Sequence, residues 1–413
     1  MICRCCQTPL EDVFLDLGTA PASNSYLAQS ELDSPEAWHP LRLYTCKSCL
    51  LVQAPEWKSH REIFSTDYAY FSSMSSTWLE HARVYAESMI PRLGLDASSR
   101  VLEIASNDGY LLRNFVQRGI PCLGIEPCQS VAEAAMAIGV PTRMEFFGEQ
   151  FARSLANSWG RADLVAANNV LAHVPDILDF CRGVAAILSP QGLATFEFPH
   201  LAKLMEHNQF DTVYHEHYSY LSLWSVRQVM ARTGLVVAEV EELPTHGGSL
   251  RVHVRRADSE ATEGPSVGRI LDAEFRQGLH STDGYKDFQI RASTAKNDFL
   301  SFLLQARTKG WKVGAYGAAA KGNTLLNYAG IRSDLLAMVA DLSPSKQGRF
   351  LPGSRIPVVS PQQLLSWKPD CVVILPWNIR HEICDQLREI SAWGASFAVA
   401  IPHLRVWKAG DAP

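Results

Sequence analysis

The heptapeptide Tyr-His-Glu-His-Tyr-Ser-Tyr at 214–220 places three kinds of proton-transfer side chain within seven consecutive positions. Histidine, glutamate and tyrosine are the side chains that enzymes use most to move protons. If the segment is extended, Tyr214, Glu216 and Tyr218 share one face and the two histidines share the other. A turn would mix these two sets. The stretch is therefore the first candidate for a catalytic site.

Two other interpretations of this stretch were weighed. The simpler one is the start of a helix, with Ser219 or Ser222 as the N-cap residue. It is compatible with catalysis, because segments that lead into elements of a scaffold often carry functional groups. A metal site at His215–His217 is disfavoured, because the zincin spacing H-E-x-x-H is absent.

A metal site is predicted instead near the N-terminus, where Cys3 and Cys6 are followed by Cys46 and Cys49. Each C-x-x-C pair forms a turn that directs two thiolates to one point, and two pairs complete the tetrahedral sulfur set of a structural zinc ion. We therefore predict a zinc ribbon with Zn²⁺ as a structural cofactor. Cys5 is a spare thiol beside the first pair.

Composition limits the partners of the chain. The net charge of −5 over 413 residues, without charge runs, gives no electrostatic footprint for nucleic acid or an anionic membrane. Neither a signal peptide nor an apolar run of about 20 residues is present, so we expect a cytoplasmic chain with a small-molecule partner. The ten cysteines then indicate metal ligands and buried thiols rather than disulfides. The oligomeric state stays open, with a monomer as the simplest expectation.

The elements that position a cofactor begin at residues 100–112, RVLEIASNDGYLL, which predict a buried strand, a loop of small residues and a helix start. The next strand ends at Glu126, where an acid accepts hydrogen bonds from ribose hydroxyls. The spacing of small residues is closer to the E/D-x-G-x-G-x-G pattern of S-adenosylmethionine methyltransferases than to the dinucleotide fingerprint. A third strand opens into Asn168, Asn169 and His173. The cofactor candidates at these strand ends are Glu103, Ala105, Ser106, Asn107, Asp108, Gly109, Glu126, Asn168 and Asn169.

The alternation of strands and helices to about residue 240 predicts a parallel, doubly wound sheet with its ligand crevice at the carboxyl ends of the strands. Two extended runs joined by a turn at 245–248 follow. The last third repeats a strand, a Gly/Ala turn and a helix. There, Gly314, Gly317 and Lys321 resemble a phosphate cradle. A purely structural glycine-rich helix entry fits the same residues nearly as well.

Together these motifs make the chain similar to the three-domain nucleotide-sugar C-methyltransferases, which methylate carbon 3 of 4-keto deoxysugars. The likeness covers nearly the whole length. It rests on the paired CxxC, DYAYFSS, EIASNDGYLL, IEP, NNVLAHVPD, YHEHYSYLS, HGGSLRV, YGAAAKGNT and the turn D-x-SPSKQGRFLPG. The resemblance implies that His217 is the general base, and that Tyr68, Tyr214, His173 and Glu216 line the reacting sugar.

The predicted fold class is α/β with three domains. Residues 1–70 form the zinc-binding domain, residues 71–255 the Rossmann-like methyltransferase domain, and residues 256–413 a second Rossmann-like domain that binds the nucleotide sugar. S-adenosylmethionine is the expected methyl donor. The substrate-binding candidates are Tyr70, Tyr218, Gly317, Lys321, Gly322, Asn323 and Lys346.

The candidate residues suit this chemistry. A proton beside a ketone leaves near neutral pH only if a base of matched pKa is held against it and the enolate oxygen is stabilised. Histidine suits the first task, and a tyrosine hydroxyl or a second histidine suits the second. The enzyme then mainly supplies orientation and excludes water during methyl transfer.

Three alternatives use the same residues differently. A sugar O-methyltransferase would need a base but no enolate stabiliser. An NAD-dependent oxidoreductase would use the last third of the chain, although Gly314 and Gly317 lack the full G-x-G-x-x-G. A zinc-ribbon interaction protein would leave the cluster at 214–220 unexplained.

Overall fold

The computed structural model describes residues 1–57 and 71–411. Tyr68 and Tyr70 lie outside the described residues. The chain divides into two compact units, each assembled from discontinuous segments. Unit 1 comprises Met1–Glu11, Thr45–Leu201 and Tyr218–Asp283, and unit 2 comprises Asp12–Tyr44, Ala202–His217 and Gly284–Pro413. Because their segments interleave, the units do not test the three predicted sequence ranges, which stay a prediction.

Elements are numbered along the chain. The strands of unit 1 are β3 (Val52–Gln53), β4 (Val101–Ile104), β5 (Cys122–Ile125), β6 (Thr142–Arg143), β7 (Ala162–Asn168), β8 (Leu188–Pro199), β9 (Ser219–Tyr220), β10 (Leu235–Leu243) and β11 (Ser249–Arg256). Its helices are α1 (Ser76–Leu93), α2 (Arg113–Val116), α3 (Gln129–Ala137), α4 (Glu149–Ser158), α5 (Ile177–Ile187), α7 (Leu223–Ala231) and α8 (Pro265–Arg276).

Unit 1 is organised around a seven-stranded sheet in the order β10-β11-β8-β7-β4-β5-β6. The neighbouring strands are parallel except where β11 pairs antiparallel with β8 and β10. The predicted parallel sheet is therefore a mixed one, because the turn at 245–248 folds β11 back along β10. The strand order reverses between β4 and β7, so the ligand crevice is expected after these two strands.

The predicted helix before β4 forms because its ends and its apolar face are both specified. The Ser75 hydroxyl accepts the N–H of Trp78 at the start of α1, and Gly94, with φ of 62°, ends the helix. Tyr85 and Met89 on its inner face are buried in the same core as Phe115 of α2. This packing fixes the helix that precedes the cofactor loop.

The strands of unit 2 are β1 (Asp12–Ala20), β2 (His39–Thr45), β12 (Val313–Tyr316), β13 (Val339–Ala340), β14 (Val358–Val359), β15 (Cys371–Ile374), β16 (Ser396–Val399) and β17 (Arg405–Lys408). The remaining helices are α6 (Leu201–Glu206), α9 (Phe288–Thr308), α10 (Ala320–Tyr328), α11 (Pro361–Ser366) and α12 (Arg380–Gln386).

The main sheet of unit 2 has the order β14-β13-β12-β15-β16-β17, with only its β16–β17 pair antiparallel among the described strands. The strand order reverses between β12 and β15, so this unit has its own crevice of the nucleotide-binding type. The segment at 202–217, which contains most of the proton-transfer stretch, belongs to the same unit.

Candidate functional site

The four predicted zinc ligands lie together in unit 1. The sulfur atoms of Cys3, Cys6, Cys46 and Cys49 are all within 4.8 Å of one another. They form the only such metal-ligand group of histidine, cysteine and acidic side chains within residues 1–57 and 71–411. Cys5 is outside the group. Gln53 Nε2 lies 3.2 Å from the Cys3 sulfur and donates to it.

The two cysteine turns share one backbone pattern. In each, the N–H of the first cysteine donates to the carbonyl five residues later, at 2.8 and 3.0 Å. The N–H four residues later donates back to the first cysteine's carbonyl, at 3.0 and 2.9 Å. That fourth residue has a left-handed backbone in both turns, Gln7 at φ 62° and Leu50 at φ 60°. Two equivalent turns that gather four thiols fit a closed tetrahedral zinc ion.

The loop after β4 contains three residues with a left-handed backbone. Ala105, Asn107 and Gly109 have φ values of 55°, 48° and 78°. A Cβ on Gly109 would lie 2.9 Å from a methyl carbon of Val140, so glycine is required there. Strain of this kind is stored where a loop must present its backbone to a ligand.

Glu126, at the end of β5, fastens this loop. One carboxylate oxygen accepts the N–H of Asn107 at 2.9 Å, and the other accepts the N–H of Cys128 at 2.9 Å. Burial raises the pKa of Glu126, and the two N–H donors oppose that shift. Each oxygen has a second lone pair with which to accept a ribose hydroxyl.

The crevice of unit 1 is rich in buried acceptors. Burial raises the pKa of Glu103 well above its usual value, the Tyr110 hydroxyl opposes this, and the charges of Glu126 and Asp108 add to it. Among the described residues, the buried oxygens here that have no hydrogen-bond partner include Ser106 Oγ, Asp108 Oδ1, Asn168 Oδ1 and Asn169 Oδ1. Such a site fits a ligand that brings positive charge and N–H or O–H donors, as the sulfonium and ammonium groups of S-adenosylmethionine do.

The end of β7 adds a contact that sequence reasoning missed. Asn169 has φ of 54°, and its amide nitrogen lies 3.1 Å from His246 Nε2. The turn that carries His246 is held by Glu197, which accepts the Thr245 hydroxyl at 2.9 Å and pairs with Arg251 at 2.7 Å. The HGG motif, which had no assigned role, therefore contacts Asn169, one of the predicted cofactor-binding residues.

His173 and Tyr218 occupy connected backbone positions in unit 1. His173 ends a short helical turn that follows β7 and is partly buried. The N–H of Tyr218 donates to the carbonyl of Ala172 at 2.8 Å, and its side chain is fully buried. Ser222, rather than Ser219, caps the following helix, because its hydroxyl accepts the N–H of Ser225 at 3.1 Å.

The first four residues of the proton-transfer stretch, 214–217, form a turn in unit 2, whereas Ser219–Tyr220 form β9 of unit 1. The N–H of His217 donates to the carbonyl of Tyr214 at 3.0 Å, which closes a four-residue turn. The extended alternation is therefore wrong for these residues. The turn brings the rings of Tyr214 and His217 to 4.0 Å between centroids, so the two predicted faces are mixed.

The two histidines of the turn differ as bases. His217 Nδ1 lies 3.1 Å from the carbonyl oxygen of Thr212, which can only accept, so Nδ1 carries hydrogen and Nε2 carries the lone pair of the neutral ring. His215 uses Nε2 in the same way on the carbonyl of His39, at 3.2 Å. Burial lowers the pKa of His215 to about 4, which makes its ring a weak base near neutral pH.

Two glycines among the substrate-binding candidates, of which Gly317 belongs to the predicted phosphate cradle, have a packing role. Gly317 has φ of 93°, and a Cβ there would lie 2.3 Å from Pro376 Cδ. A Cβ on Gly322 would lie 2.9 Å from a methyl carbon of Leu375. The loops after β12 and β15 thus pack directly on each other, which supports the structural interpretation of these glycines.

Lys321 lies at the point where the strand order of unit 2 reverses. Its ammonium donates to Asn378 Oδ1 at 2.8 Å and lies 4.7 Å from the centre of the Trp377 ring. Burial lowers the pKa of Lys321, and the charge of Asp211 opposes that shift. Asp211 is fully buried and accepts the indole N–H of Trp377 at 2.8 Å. Asp211 and this indole contact were missed by sequence reasoning.

The second lysine candidate, Lys346, lies beside the acid that ends β13. Its ammonium donates to the carbonyl of Ala318 at 2.8 Å and lies 3.7 Å from Asp341 Oδ2. Asp341 in turn accepts the N–H groups of Ala318 and Ser343, both at 2.8 Å. Asn323 donates to a backbone carbonyl at 2.6 Å and is buried.

Three family models match successive parts of the chain. A zinc binding domain matches residues 3–64, a methyltransferase domain residues 78–240, and a C-methyltransferase C-terminal domain residues 244–402. C-methyltransferase NovU from Streptomyces niveus is 33% identical over 407 residues, which cover 98% of this chain and 96% of that protein.

Solved structures resemble part of the chain at low similarity. Magnesium protoporphyrin IX methyltransferase from Synechocystis PCC 6803 is 15% identical over 48% of this chain and 88% of its own, with a TM-score of 0.33. A methyltransferase from Clostridium acetobutylicum ATCC 824 is 10% identical over 43% of this chain and 92% of its own, with a TM-score of 0.34. These scores are too low to support an argument about function.

Proposed function

Because this chain belongs to the family of C-methyltransferases, as its near full-length relative shows, we propose that it methylates carbon 3 of a nucleotide-linked 4-keto deoxysugar. The predictions of a methyltransferase and of a zinc-binding N-terminal domain are confirmed by these matches and by the cysteine cluster. S-adenosylmethionine is the methyl donor that we infer for it. Among the described residues, no helix is both long and apolar enough to cross a bilayer.

The observation that carries the proposal is the difference in ionisable groups between the two crevices. The crevice of unit 1 is lined by Glu103, Asp108 and Glu126, whereas the strand ends of unit 2 also carry ammonium groups, Lys321 near Asp211 and Lys346 near Asp341. Carboxylates favour a cationic ligand and ammonium groups favour an anionic one. We therefore assign the methyl donor to unit 1 and the pyrophosphate of the sugar nucleotide to unit 2.

The general base belongs to the unit to which we assign the nucleotide. Thr324 of α10 donates its hydroxyl to the carbonyl of Val213 at 2.8 Å, just before the turn that carries His217. Lys321 lies on the same helix. A sugar nucleotide held by that lysine is thus bound to the scaffold that positions the base, and such fixed geometry is a main source of catalysis.

In the proposed reaction, His217 Nε2 takes the proton from carbon 3, and its Nδ1–H stays on the carbonyl of Thr212. The Tyr214 hydroxyl is assigned to the enolate oxygen, with His173 and Tyr68 in the sugar-lining roles that the resemblance implies. Glu216 is assigned to a sugar hydroxyl or to the orientation of the imidazole. When bound, S-adenosylmethionine supplies the electrophilic methyl group that carbon 3 accepts.

The test is turnover of a panel of nucleotide 4-keto sugars with donor labelled in its methyl group with carbon-13. We expect the label to appear on carbon 3 of one or more of these sugars, bonded to carbon in the nuclear magnetic resonance spectrum. Label bonded to oxygen would favour the O-methyltransferase alternative. Absence of turnover with every 4-keto sugar, with the donor bound, would contradict the proposed substrate class.

A further inference from the structure

The segment Ala22–Tyr26, between β1 and β2, is fastened at both ends to the strand ends of unit 2. Asn323 Nδ2 donates to the carbonyl of Ser23 at 2.6 Å, and the Tyr26 hydroxyl donates to the carbonyl of Ala318 at 2.6 Å. Ala318 lies in the β12–α10 connection, and Asn323 lies in the first turn of α10. The segment is therefore a fixed part of the crevice, although it lies within the match to the zinc binding domain.

Asn24 lies between these two anchors and reaches the proton-transfer turn. Its side-chain nitrogen donates to Glu216 Oε1 at 2.7 Å. Glu216 is buried, whereas Asn24 is exposed. The backbone of Ala22–Tyr26 positions this exposed asparagine against the buried carboxylate. Hydrogen bonds within the segment fix that backbone conformation.

We propose that Asn24 is a positioning residue for Glu216, and this inference rests on the proposed function. A carboxylate with one oxygen fixed by an amide donor has a fixed plane, so its second oxygen has a defined direction. Glu216 adjoins His217 in the same turn, so its direction matters for the sugar or for the imidazole. Asn24 thereby makes a segment near the N-terminus part of the catalytic machinery.

Other ionisable groups also face this carboxylate. Burial, together with the charges of Asp341 and Glu216, raises the pKa of Tyr26, so Tyr26 keeps its proton and its hydrogen bond to Ala318. Tyr214, His215 and His217 belong to the same turn as Glu216. Among the described contacts, Asn24 is the neutral amide donor to Glu216. Replacing that amide with a carboxyl group therefore changes the charge at one defined place.

The test compares Asn24→Ala and Asn24→Asp with Ser25→Ala, a control in the same loop. Loss of one hydrogen bond to a charged group is worth about tenfold to hundredfold in rate. We expect Asn24→Ala to lower kcat by that factor at every pH, with the KM for the nucleotide sugar and the affinity for the donor within about twofold of Ser25→Ala. Its melting temperature should match the control.

The pH dependence of kcat in Asn24→Asp distinguishes a positioning role from a merely structural one. Two adjacent carboxyl groups can share a proton at low pH, which restores an O–H···O hydrogen bond, but they repel when both ionise. The kcat ratio of Asn24→Asp to wild type should therefore rise toward 1 as pH falls, whereas the ratio for Asn24→Ala stays flat.

Equal kcat values for Asn24→Ala and Ser25→Ala, or a flat ratio for Asn24→Asp, would overturn the inference. Lost activity in Asn24→Ala that is matched by a lower melting temperature would also overturn it. If wild type itself fails to exchange the carbon 3 proton with solvent deuterium, the proposed function fails instead. The two failures are thus distinguishable.

Discussion

The two Rossmann-like crevices of this methyltransferase share one backbone clamp. In each, the acid that follows the second strand accepts an N–H from the loop after the first strand and another from the residue two positions further along the chain. Glu126 does so in unit 1 and Asp341 in unit 2. Beyond this clamp the crevices differ in the conformation of the first loop and in their ionisable side chains.

In unit 1 the first loop carries three residues with positive φ, and several buried oxygens there lack a partner among the described residues. In unit 2 the corresponding loop turns at Gly317, and Pro376 packs directly against it. Lys346 lies beside the unit 2 acid, and Lys321 lies at the start of the following helix. The same backbone clamp therefore occurs in both units. The side chains and the strained backbone of the loop determine which ligand each crevice can bind.

Removal of zinc tests whether the metal stabilises the fold of unit 1 or takes part in catalysis. It should have the largest effect on stability. Cys46→Ser loses one of four ligands, so zinc per chain should fall toward zero and stability should fall by several kcal/mol. Metal analysis and thermal unfolding measure this. Cys5→Ser is the control, because Cys5 is outside the ligand group, and it should keep its zinc. A metal-free Cys46→Ser with wild-type stability would contradict a structural role.

Gly317→Ala tests whether the loop after β12 in unit 2 is packed tightly against Pro376. The new Cβ would meet Pro376 and also hold a left-handed backbone, so we expect a loss of about 2–5 kcal/mol in the free energy of unfolding. Gly330→Ala is the matched control, since Gly330 has φ of 67° with open space around it, and it should lose only about 1–2 kcal/mol. Equal denaturant midpoints for the two variants would show that the loop is not closed by packing.

The assignment of ligands to crevices is tested by a pair of variants. Lys321→Ala should raise the KM for the nucleotide sugar by roughly tenfold to hundredfold, because a charged hydrogen bond is lost. Glu126→Ala should weaken donor binding by roughly 1–3 kcal/mol. Each should leave the other ligand within about twofold in calorimetry. Weakened donor binding in Lys321→Ala, with normal substrate saturation, would reverse the assignment.

The smallest expected effect concerns Asp211. Burial raises its pKa to about 6, so the folded state favours the protonated acid. Its contribution to stability is therefore present below about pH 4 and is lost as pH rises through about 6. Asp211→Asn still accepts the Trp377 indole N–H, and its stability relative to wild type should increase by about 1–2 kcal/mol between pH 4.5 and 7. A stability difference between Asp211→Asn and wild type that stays constant over this pH range in denaturant unfolding would contradict the raised pKa of Asp211.

The sequence predicted those features that local patterns encode. Paired C-x-x-C spacing indicated the four-sulfur cluster, and apolar runs followed by small residues indicated the ends of β4, β7 and β12. The antiparallel direction of β11 was not assigned to the sheet, because the pairing of distant strands leaves no local pattern. The choice between a strand and a turn at 214–217 was left open for a related reason. Its polar residues suit a strand or a turn, and backbone hydrogen bonds decide between them.

The contacts made across long stretches of sequence could not be predicted. Asn24 and Glu216 are 192 positions apart, and Asp211 and Trp377 are 166 apart. Neither asparagine nor aspartate carries a local sign of such a partner. The packing role of Gly317 likewise depends on Pro376, which a glycine-rich pattern does not reveal. The residue types in the sequence therefore indicated the chemistry. Only the folded structure showed which residues orient the candidate catalytic and binding groups.

The most direct measurement for the account is solvent deuterium exchange at carbon 3 of the nucleotide sugar with S-adenosylmethionine withheld. Wild type should exchange. His215→Asn should exchange at close to the wild-type rate, because His215 is a weak base whose ring is held by His39. His217→Asn should be about 10²–10⁴-fold slower, the usual contribution of a positioned base. Exchange by His217→Asn at the wild-type rate would contradict the central claim.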